Sequence, residues 1–192
     1  QRQMCIRDRF EAGRVSELLT PLVNGLAPHV DLWLAETQSS IVEARAIHAG
    51  LPQDGKPFWL SFTLKDEDTD EVPRLRSGEP VADAAEAAAQ LGVAVLLFNC
   101  SQPEVIGAAI DTARQTFERL GVSIQIGAYA NAFPPQPKEA TANDGLDPLR
   151  DDLDPPGYLH WAADWQARGA SHLGGCCGIG PEHIAVLAQK LA

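Results

Sequence analysis

The stretch Val93-Ala94-Val95-Leu96-Leu97-Phe98-Asn99-Cys100-Ser101-Gln102-Pro103 decides the fold of this chain. Its first six residues form a continuous apolar run of strand length, which predicts a buried β-strand over 93–98. Pro103 then opens a long helix that ends at Leu120-Gly121, because proline suits the first turn of a helix and glycine suits its end. A buried strand followed directly by a long helix is the repeating unit of a parallel α/β fold.

The same alternation extends in both directions from this stretch. Further strands are predicted at 30–35, 58–63, 124–128 and 172–173, and further helices at 11–23, 41–49, 81–91, 158–168 and from Pro181 onward. Such alternation indicates a parallel sheet, either doubly wound or a (β/α)8 TIM barrel. A complete barrel takes about 250 residues. We therefore interpret the 192 residues as strands four to eight of an N-terminally truncated barrel, with a complete open sheet as the alternative.

Length and charge restrict the class of protein. A chain of 192 residues that is 45% hydrophobic can bury a substantial core, and we assign residues 10–192 to one domain. The net charge of −11 argues against nucleic acid or anionic membranes as partners. No apolar run is long enough to span a bilayer. The oligomeric state is not indicated by the sequence.

The first nine residues do not fit the rest of the chain. Residues 1–9 carry charged side chains without helical or strand periodicity, and we interpret them as a non-native segment and give Cys5 no role. No secretory signal is visible, so we expect a cytoplasmic protein. In that reducing compartment the four cysteines would serve metal binding or catalysis rather than crosslinks.

Three of the cysteines follow predicted strands. Cys100 follows the strand at 93–98, and Cys176 and Cys177 lie in the glycine-rich segment 174–178 after a short apolar run. Three thiolates with an open fourth position are typical of a catalytic zinc site. The cysteines alone leave other interpretations open, namely small buried side chains or a redox-active vicinal pair, because the two-residue spacing of common zinc motifs is absent.

The surrounding sequence resembles the homocysteine S-methyltransferase family. Five motifs occur in the family's order, and they are Glu36-Thr37-Gln38, 57–63, Asn99-Cys100-Ser101-Gln102-Pro103, Tyr129-Ala130-Asn131 and 174–184. The last motif, 174–184, is the most specific. The resemblance implies a barrel enzyme in which Cys100, Cys176 and Cys177 hold Zn²⁺. It also implies that the sulfur of homocysteine binds this zinc and accepts a methyl group, giving methionine.

Two further expectations concern the reaction. The substrates implied by the resemblance are homocysteine and a small methyl donor. No folate- or cobalamin-binding domain is evident, so we favour S-methylmethionine or S-adenosylmethionine. The alternative function is a non-catalytic zinc-binding or redox-sensing fragment. We also expect five units alone to be inactive or poorly stable, because an open parallel sheet exposes an unpaired edge.

Four residues are candidates for substrate binding. By its motif, Glu36 takes the family's role of binding the amino acid, and a carboxylate beyond a strand end suits an ammonium group. The alternative interpretation of Glu36 is a helix-start acid that the helix dipole stabilises. Thr37, Asn99 and Asn131 are further candidates at strand ends, although the residues alone indicate only caps or strand-terminating polar groups. Ala130 stands where the family usually has proline, so the motif around Asn131 departs from the family pattern at this position.

One segment interrupts the alternation of strands and helices. Residues 132–157 contain six prolines and an acidic cluster, which predicts a surface loop. The segment follows a strand end, so it would lie over the face that carries the site. A lid is therefore the functional alternative to a plain surface loop.

Overall fold

A computed structural model describes residues 12–66, 72–134 and 148–191 of the chain. Within these ranges there are five strands and six α-helices. In chain order they are α1 (Ala12–Leu26), β1 (Trp33–Gln38), α2 (Ile41–Ala49), β2 (Phe58–Phe62), α3 (Val81–Gln90), β3 (Val95–Asn99), α4 (Pro103–Leu120), β4 (Gln125–Tyr129), α5 (Pro155–Ala167), β5 (His172–Leu173) and α6 (Pro181–Leu191). The segment 1–9, with Cys5, lies outside the described residues.

The strands form one parallel sheet in the order β1-β2-β3-β4-β5. Each crossover therefore moves to the next strand in the same direction, as in the units of a (β/α) barrel, whereas a doubly wound sheet reverses its order at a switch point. The predicted parallel α/β fold is confirmed. The assignment of these units to strands four to eight stays a prediction.

Local signals account for the helix limits. Ser40 caps α2 by accepting a hydrogen bond from the backbone of Glu43, and the Glu43 carboxylate accepts one from the backbone of Ser40. This reciprocal capping box satisfies two amides that the helix leaves without partners. The helix ends at Gly50, as predicted. Pro103 is the first residue of α4 and Gly121 is its C-cap, which confirms the limits of the helix that follows β3.

The core lies around the central strand β3, all five residues of which are buried. Strands covered on both faces consist of nearly continuous apolar runs, which is why 93–98 was the clearest strand signal. The neighbouring strand β4 needs Gly127, because a Cβ there would lie 2.5 Å from Leu97 Cδ2 and 2.6 Å from His172 Cβ. None of the described helices is long and apolar enough to cross a membrane.

The first strand starts and ends later than predicted. The expected range was 30–35, which placed Glu36 beyond the strand end, but β1 runs from Trp33 to Gln38 and includes Glu36 and Thr37. The sequence Glu-Thr-Gln is polar enough to indicate a strand end, yet the ladder with β2 continues after a register shift between Ala35 and Gln38. Glu36 and Thr37 therefore occupy an irregularity of the strand rather than a helix start.

The proline-rich segment is only partly a loop. Residues 135–147 lie outside the described residues. The part that follows contains a 3-10 turn at Asp151–Leu153, and α5 begins at Pro155 rather than at the predicted Tyr158. Asp154 caps this helix by accepting a hydrogen bond from the backbone of Gly157, and proline is tolerated in the first turn.

Candidate thiol site

Three cysteine sulfurs meet at the carboxyl end of the sheet. Cys100 directly follows β3, while Cys176 and Cys177 lie in the turn after β5. The Sγ atom of Cys177 lies 3.9 Å from that of Cys100 and 3.7 Å from that of Cys176. All three sulfurs lie within 4.8 Å of one another and are half-buried. The expected convergence of these cysteines is thus present.

The structure pairs Cys100 with Cys176 as a disulfide, and Cys177 is not part of this disulfide. The sequence had indicated thiols rather than crosslinks. The reason for the difference is that the strand ends bring the two α-carbons to 5.7 Å, within the range that a disulfide spans. The cluster is therefore able to exist as three thiols or as one disulfide and one thiol.

The donor set fits a thiolate-bound metal. A tetrahedral zinc with zinc–sulfur bonds of about 2.3 Å holds its sulfur ligands about 3.8 Å apart. The Sγ atom of Cys177 lies 3.7 Å from that of Cys176 and 3.9 Å from that of Cys100, which matches this sulfur–sulfur distance. Only the disulfide-paired sulfurs must separate, so binding requires reduction of Cys100 and Cys176 and a small movement.

Backbone hydrogen bonds hold the cysteine loop to the chain that leaves β4. The amide of Cys176 donates to the carbonyl of Ala130 at 2.9 Å, and the amide of Ala132 donates to the carbonyl of Cys177 at 2.8 Å. Gly175 is required in this loop, because a Cβ there would lie 2.2 Å from a side-chain carbon of Ile179. These bonds place Cys176 and Cys177 on a loop that is fixed at several points.

Two residues at this end of the sheet have strained backbones. Among the described residues, Thr37 (φ 60°) and Cys100 (φ 50°) are the non-glycine residues with positive φ. Left-handed backbone is uncommon for any side chain and is a clear outlier for a β-branched residue such as Thr37. Strain of this kind concentrates at functional sites, and here it occurs at one candidate ligand and one candidate substrate residue.

A chain of side-chain hydrogen bonds crosses four strands beside the cysteines. Asn99 Nδ2 donates to Thr37 Oγ1 at 2.7 Å, and Ser61 Oγ donates to Asn99 Oδ1 at 2.6 Å. The hydroxyl of Tyr129 lies 2.9 Å from Ser61 Oγ and 3.2 Å from Glu36 Oε1. Three of the predicted substrate residues, Glu36, Thr37 and Asn99, are thus brought together.

Tyr129 and Ser61 were not predicted as site residues. Their signal in the sequence is weak: Ser61 is the polar residue within the apolar strand Phe58–Phe62, and Tyr129 ends β4. Burial is the main cause that raises the pKa of Tyr129, and the nearby Glu36 charge adds to it. The tyrosine therefore stays a neutral hydroxyl at ordinary pH.

Asn131 belongs to a different network. Its Oδ1 accepts from the backbone of Phe133 at 3.0 Å and from Gln102 Nε2 at 3.4 Å. Gln102 in turn accepts from Arg150, whose guanidinium also binds Glu104 at 2.6 Å. The described contacts of Asn131 thus fix the turn after β4, and the structure does not bring it to Glu36.

Fold and site together define a class of protein. A parallel (β/α) sheet of the barrel type carries three cysteines and a polar network at the carboxyl ends of its strands, where barrel enzymes hold their active sites. The chain belongs to the homocysteine S-methyltransferase family, whose profile matches residues 9–191. The family resemblance read from the motifs is therefore confirmed.

Individual proteins similar to this chain include two homocysteine methyltransferases. The chain is 27% identical over 167 residues to homocysteine S-methyltransferase 4 of Zea mays, covering 84% of this chain and 44% of the relative. Its fold is similar to the crystal structure of an oxidized form of the homocysteine methyltransferase MmuM of Escherichia coli, with a TM-score of 0.68, 22% identity and coverage of 95% of this chain and 53% of that one. A putative phosphonomutase of Burkholderia cenocepacia is also similar in fold, with a TM-score of 0.56, 17% identity and coverage of 93% and 70%. The chain thus spans about half the length of the two homocysteine methyltransferases.

Proposed function

We propose that this chain provides the homocysteine-binding site of a zinc-dependent methyltransferase. The reaction transfers a methyl group from a small donor, with S-methylmethionine or S-adenosylmethionine favoured, to the sulfur of L-homocysteine and gives methionine. The observation that carries the proposal is the cluster of three cysteine sulfurs at the strand ends of a chain in this family. The five units would correspond to strands four to eight of a barrel. Cysteines that act as thiolates would require a reducing compartment, so the proposed location is the cytoplasm.

The residues of the site have separate roles in this proposal. Cys100, Cys176 and Cys177 would hold the zinc, which when bound lowers the pKa of a substrate thiol and supplies it as a thiolate. Glu36 would bind the substrate ammonium. Thr37 and Asn99 would hold the polar network that surrounds Glu36. Asn131 would bind the substrate from the turn after β4.

The bonds of the reaction balance without an acid from the protein. The homocysteine thiol loses its proton to solvent water, and its sulfur forms a bond to the methyl carbon while the bond from that carbon to the donor sulfonium breaks. The donor then leaves as a neutral thioether, which needs no protonation. The main task of the protein is therefore to hold two sulfurs and one methyl carbon in line.

Metal content tests the proposal. The protein, reduced and loaded with zinc, should bind about one zinc per chain. Serine at Cys100, Cys176 or Cys177 should each reduce this content sharply, while Cys5→Ser is the matched control and should retain it. Full zinc content after replacement of all three clustered cysteines would refute the site.

Cobalt substitution then tests the substrate. Co²⁺ in the same site should show thiolate charge-transfer bands, and homocysteine should change these bands by adding a fourth sulfur. Homoserine, which has a hydroxyl in place of the thiol, should leave them unchanged. A cobalt spectrum that does not respond to homocysteine would refute binding of this substrate at the metal.

One observation favours the alternative of a non-catalytic or redox-sensing fragment. The α-carbons of Cys100 and Cys176 lie 5.7 Å apart, a spacing that a disulfide spans, and this supports a redox role for the pair. Two thiols would lose two protons and two electrons to an external small-molecule disulfide, which would be reduced to two thiols. This alternative predicts zinc release on oxidation together with no cobalt response to homocysteine.

A further inference from the structure

We infer that Tyr129 is a positioning residue that orients the Glu36 carboxylate toward an ammonium group, so that the site selects thiols that carry an α-amino group. This inference rests on the proposed function and extends it to a residue and a source of specificity. It is carried by the hydrogen-bond chain that joins Tyr129, Ser61 and Asn99.

Counting hydrogens along this chain gives a definite result. Because Asn99 Nδ2 donates to Thr37, its Oδ1 is the acceptor that faces Ser61. The one hydroxyl hydrogen of Ser61 is therefore used on Asn99. Only one hydrogen, that of the Tyr129 hydroxyl, is left for the contacts that Tyr129 makes with Ser61 and with Glu36.

The outer end of the network is consequently short of donors. Three oxygens, on Glu36, Tyr129 and Ser61, share a single hydrogen, and the Glu36 side chain is exposed. A ligand that carries hydrogen-bond donors and positive charge is complementary to this network. An ammonium group brings three N–H donors and pairs with the carboxylate, whereas an anion or a carbonyl would add further acceptors.

Tyr129 also joins this network to the thiol site. Its backbone carbonyl accepts a hydrogen bond from the amide of Cys100 at 3.3 Å, and Asn99 and Tyr129 are partners in the ladder between β3 and β4. The residue that orients Glu36 therefore also holds the chain beside one of the sulfurs.

A pair of thiols tests the inference. The probes are L-homocysteine and 4-sulfanylbutanoate, which is homocysteine without its amino group, and their affinities for the zinc-loaded protein are measured by calorimetry. Tyr129→Phe should weaken homocysteine about tenfold, the effect of one hydrogen bond to a charged group. The same variant should change 4-sulfanylbutanoate by less than about twofold and should keep the zinc content, because its hydroxyl contacts neither a sulfur nor the metal ligands.

Two further variants separate positioning from structure. Tyr158→Phe makes the same chemical change at the other tyrosine of the chain, whose hydroxyl contacts Ala130 and Gly174. It should leave the ratio of the two affinities at the wild-type value, because any loosening of the cysteine loop through Gly174 weakens the binding of both thiols alike. Glu36→Gln should lower that ratio, and adding Tyr129→Phe to it should lower the ratio little more, because Tyr129 acts through Glu36.

The outcomes distinguish the inference from the proposed function. If the wild-type protein binds neither thiol, the proposed function fails and the inference fails with it. If the wild-type prefers homocysteine and Tyr129→Phe keeps the same preference, only the inference is overturned. Loss of zinc in Tyr129→Phe, or additive effects of the Glu36 and Tyr129 changes, would likewise overturn it.

Discussion

Tyr158→Phe should be one of the most destabilising single-oxygen deletions in this chain. The hydroxyl of Tyr158 is fully buried, accepts a hydrogen bond from the amide of Ala130 at 3.0 Å and donates one to the carbonyl of Gly174 at 2.8 Å. It therefore connects the end of β4 to the loop that leads to Cys176. Phenylalanine keeps the ring, which packs edge-on against Trp165 at 5.8 Å, so the substitution isolates the hydroxyl.

The expected magnitude follows from the two groups left behind. Each buried backbone group without a partner costs about 1–3 kcal/mol, and removal of the buried hydroxyl offsets part of this, which gives about 2–4 kcal/mol. In a domain of this size 1 kcal/mol corresponds to about 2–4 °C, so the melting temperature should fall by about 5–15 °C.

Urea unfolding followed by circular dichroism measures this loss, and an unchanged slope shows that the unfolded state is the same. Tyr129→Phe is the matched control, since its hydroxyl lies at a half-buried position and its loss should cost about 1 kcal/mol or less. A loss below about 0.5 kcal/mol for Tyr158→Phe would refute the reasoning, because it would show that the two backbone groups find other partners.

Three further predictions concern packing, a half-buried ion pair and pH. Gly127→Ala should cost at least about 1–3 kcal/mol of unfolding free energy, because the added Cβ would clash with Leu97 and His172. The control is Gly25→Ala in α1, where the added Cβ has nothing within 4 Å, and it should be neutral or stabilising. Equal urea midpoints for the two variants would contradict this prediction. Arg150→Met should lower the unfolding free energy by about 1–3 kcal/mol, because it leaves Gln102 and Glu104 without the guanidinium. The control Arg114→Met removes an exposed ion pair with Glu118 and should cost less than about 0.5 kcal/mol. Equal losses of unfolding free energy in urea would contradict the role of the Arg150 network. Burial raises the pKa of both Tyr129 and Tyr158 above the ordinary value, so the folded state keeps protons that the unfolded state loses. The stability that these two tyrosines contribute should be fully present below about pH 10. Above that pH the unfolding free energy should fall by up to about 1.4 kcal/mol per pH unit for Tyr158, and by less for Tyr129. Urea midpoints that stay constant from about pH 9 to about pH 11 would contradict this prediction, because they would show that folding does not hinder ionisation of the tyrosines.

Elements marked by local chemistry were predictable from the sequence. The strand at β3 is an uninterrupted apolar run, and α4 is delimited by Pro103 and Gly121, so both follow from neighbouring residues alone. The same holds for the capped helix that begins after Ser40. The position of Cys100 beyond a strand end followed directly from the limit of β3.

Features set by distant partners were not predictable. The late end of β1 depends on its ladder with β2 and on the register shift before Gln38, neither of which has a local signal. The start of α5 at Pro155 depended on the cap by Asp154, which a proline-rich composition concealed. The disulfide between Cys100 and Cys176 depends on redox state and on the approach of two strand ends that are 76 residues apart in sequence.

The hydrogen-bond network shows why sheet register rather than residue type determines this site. Neighbouring parallel strands lie about 4.8 Å apart, so single polar side chains on the same face of successive strands are able to form a continuous chain of hydrogen bonds. Glu36, Ser61, Asn99 and Tyr129 come from four successive strands, and each contributes one polar group. A shift of any one strand by a single residue would turn its polar group to the opposite face and break the chain. The apolar core that fixes the register of these strands therefore also keeps these four polar groups on one face of the sheet, beside Cys100.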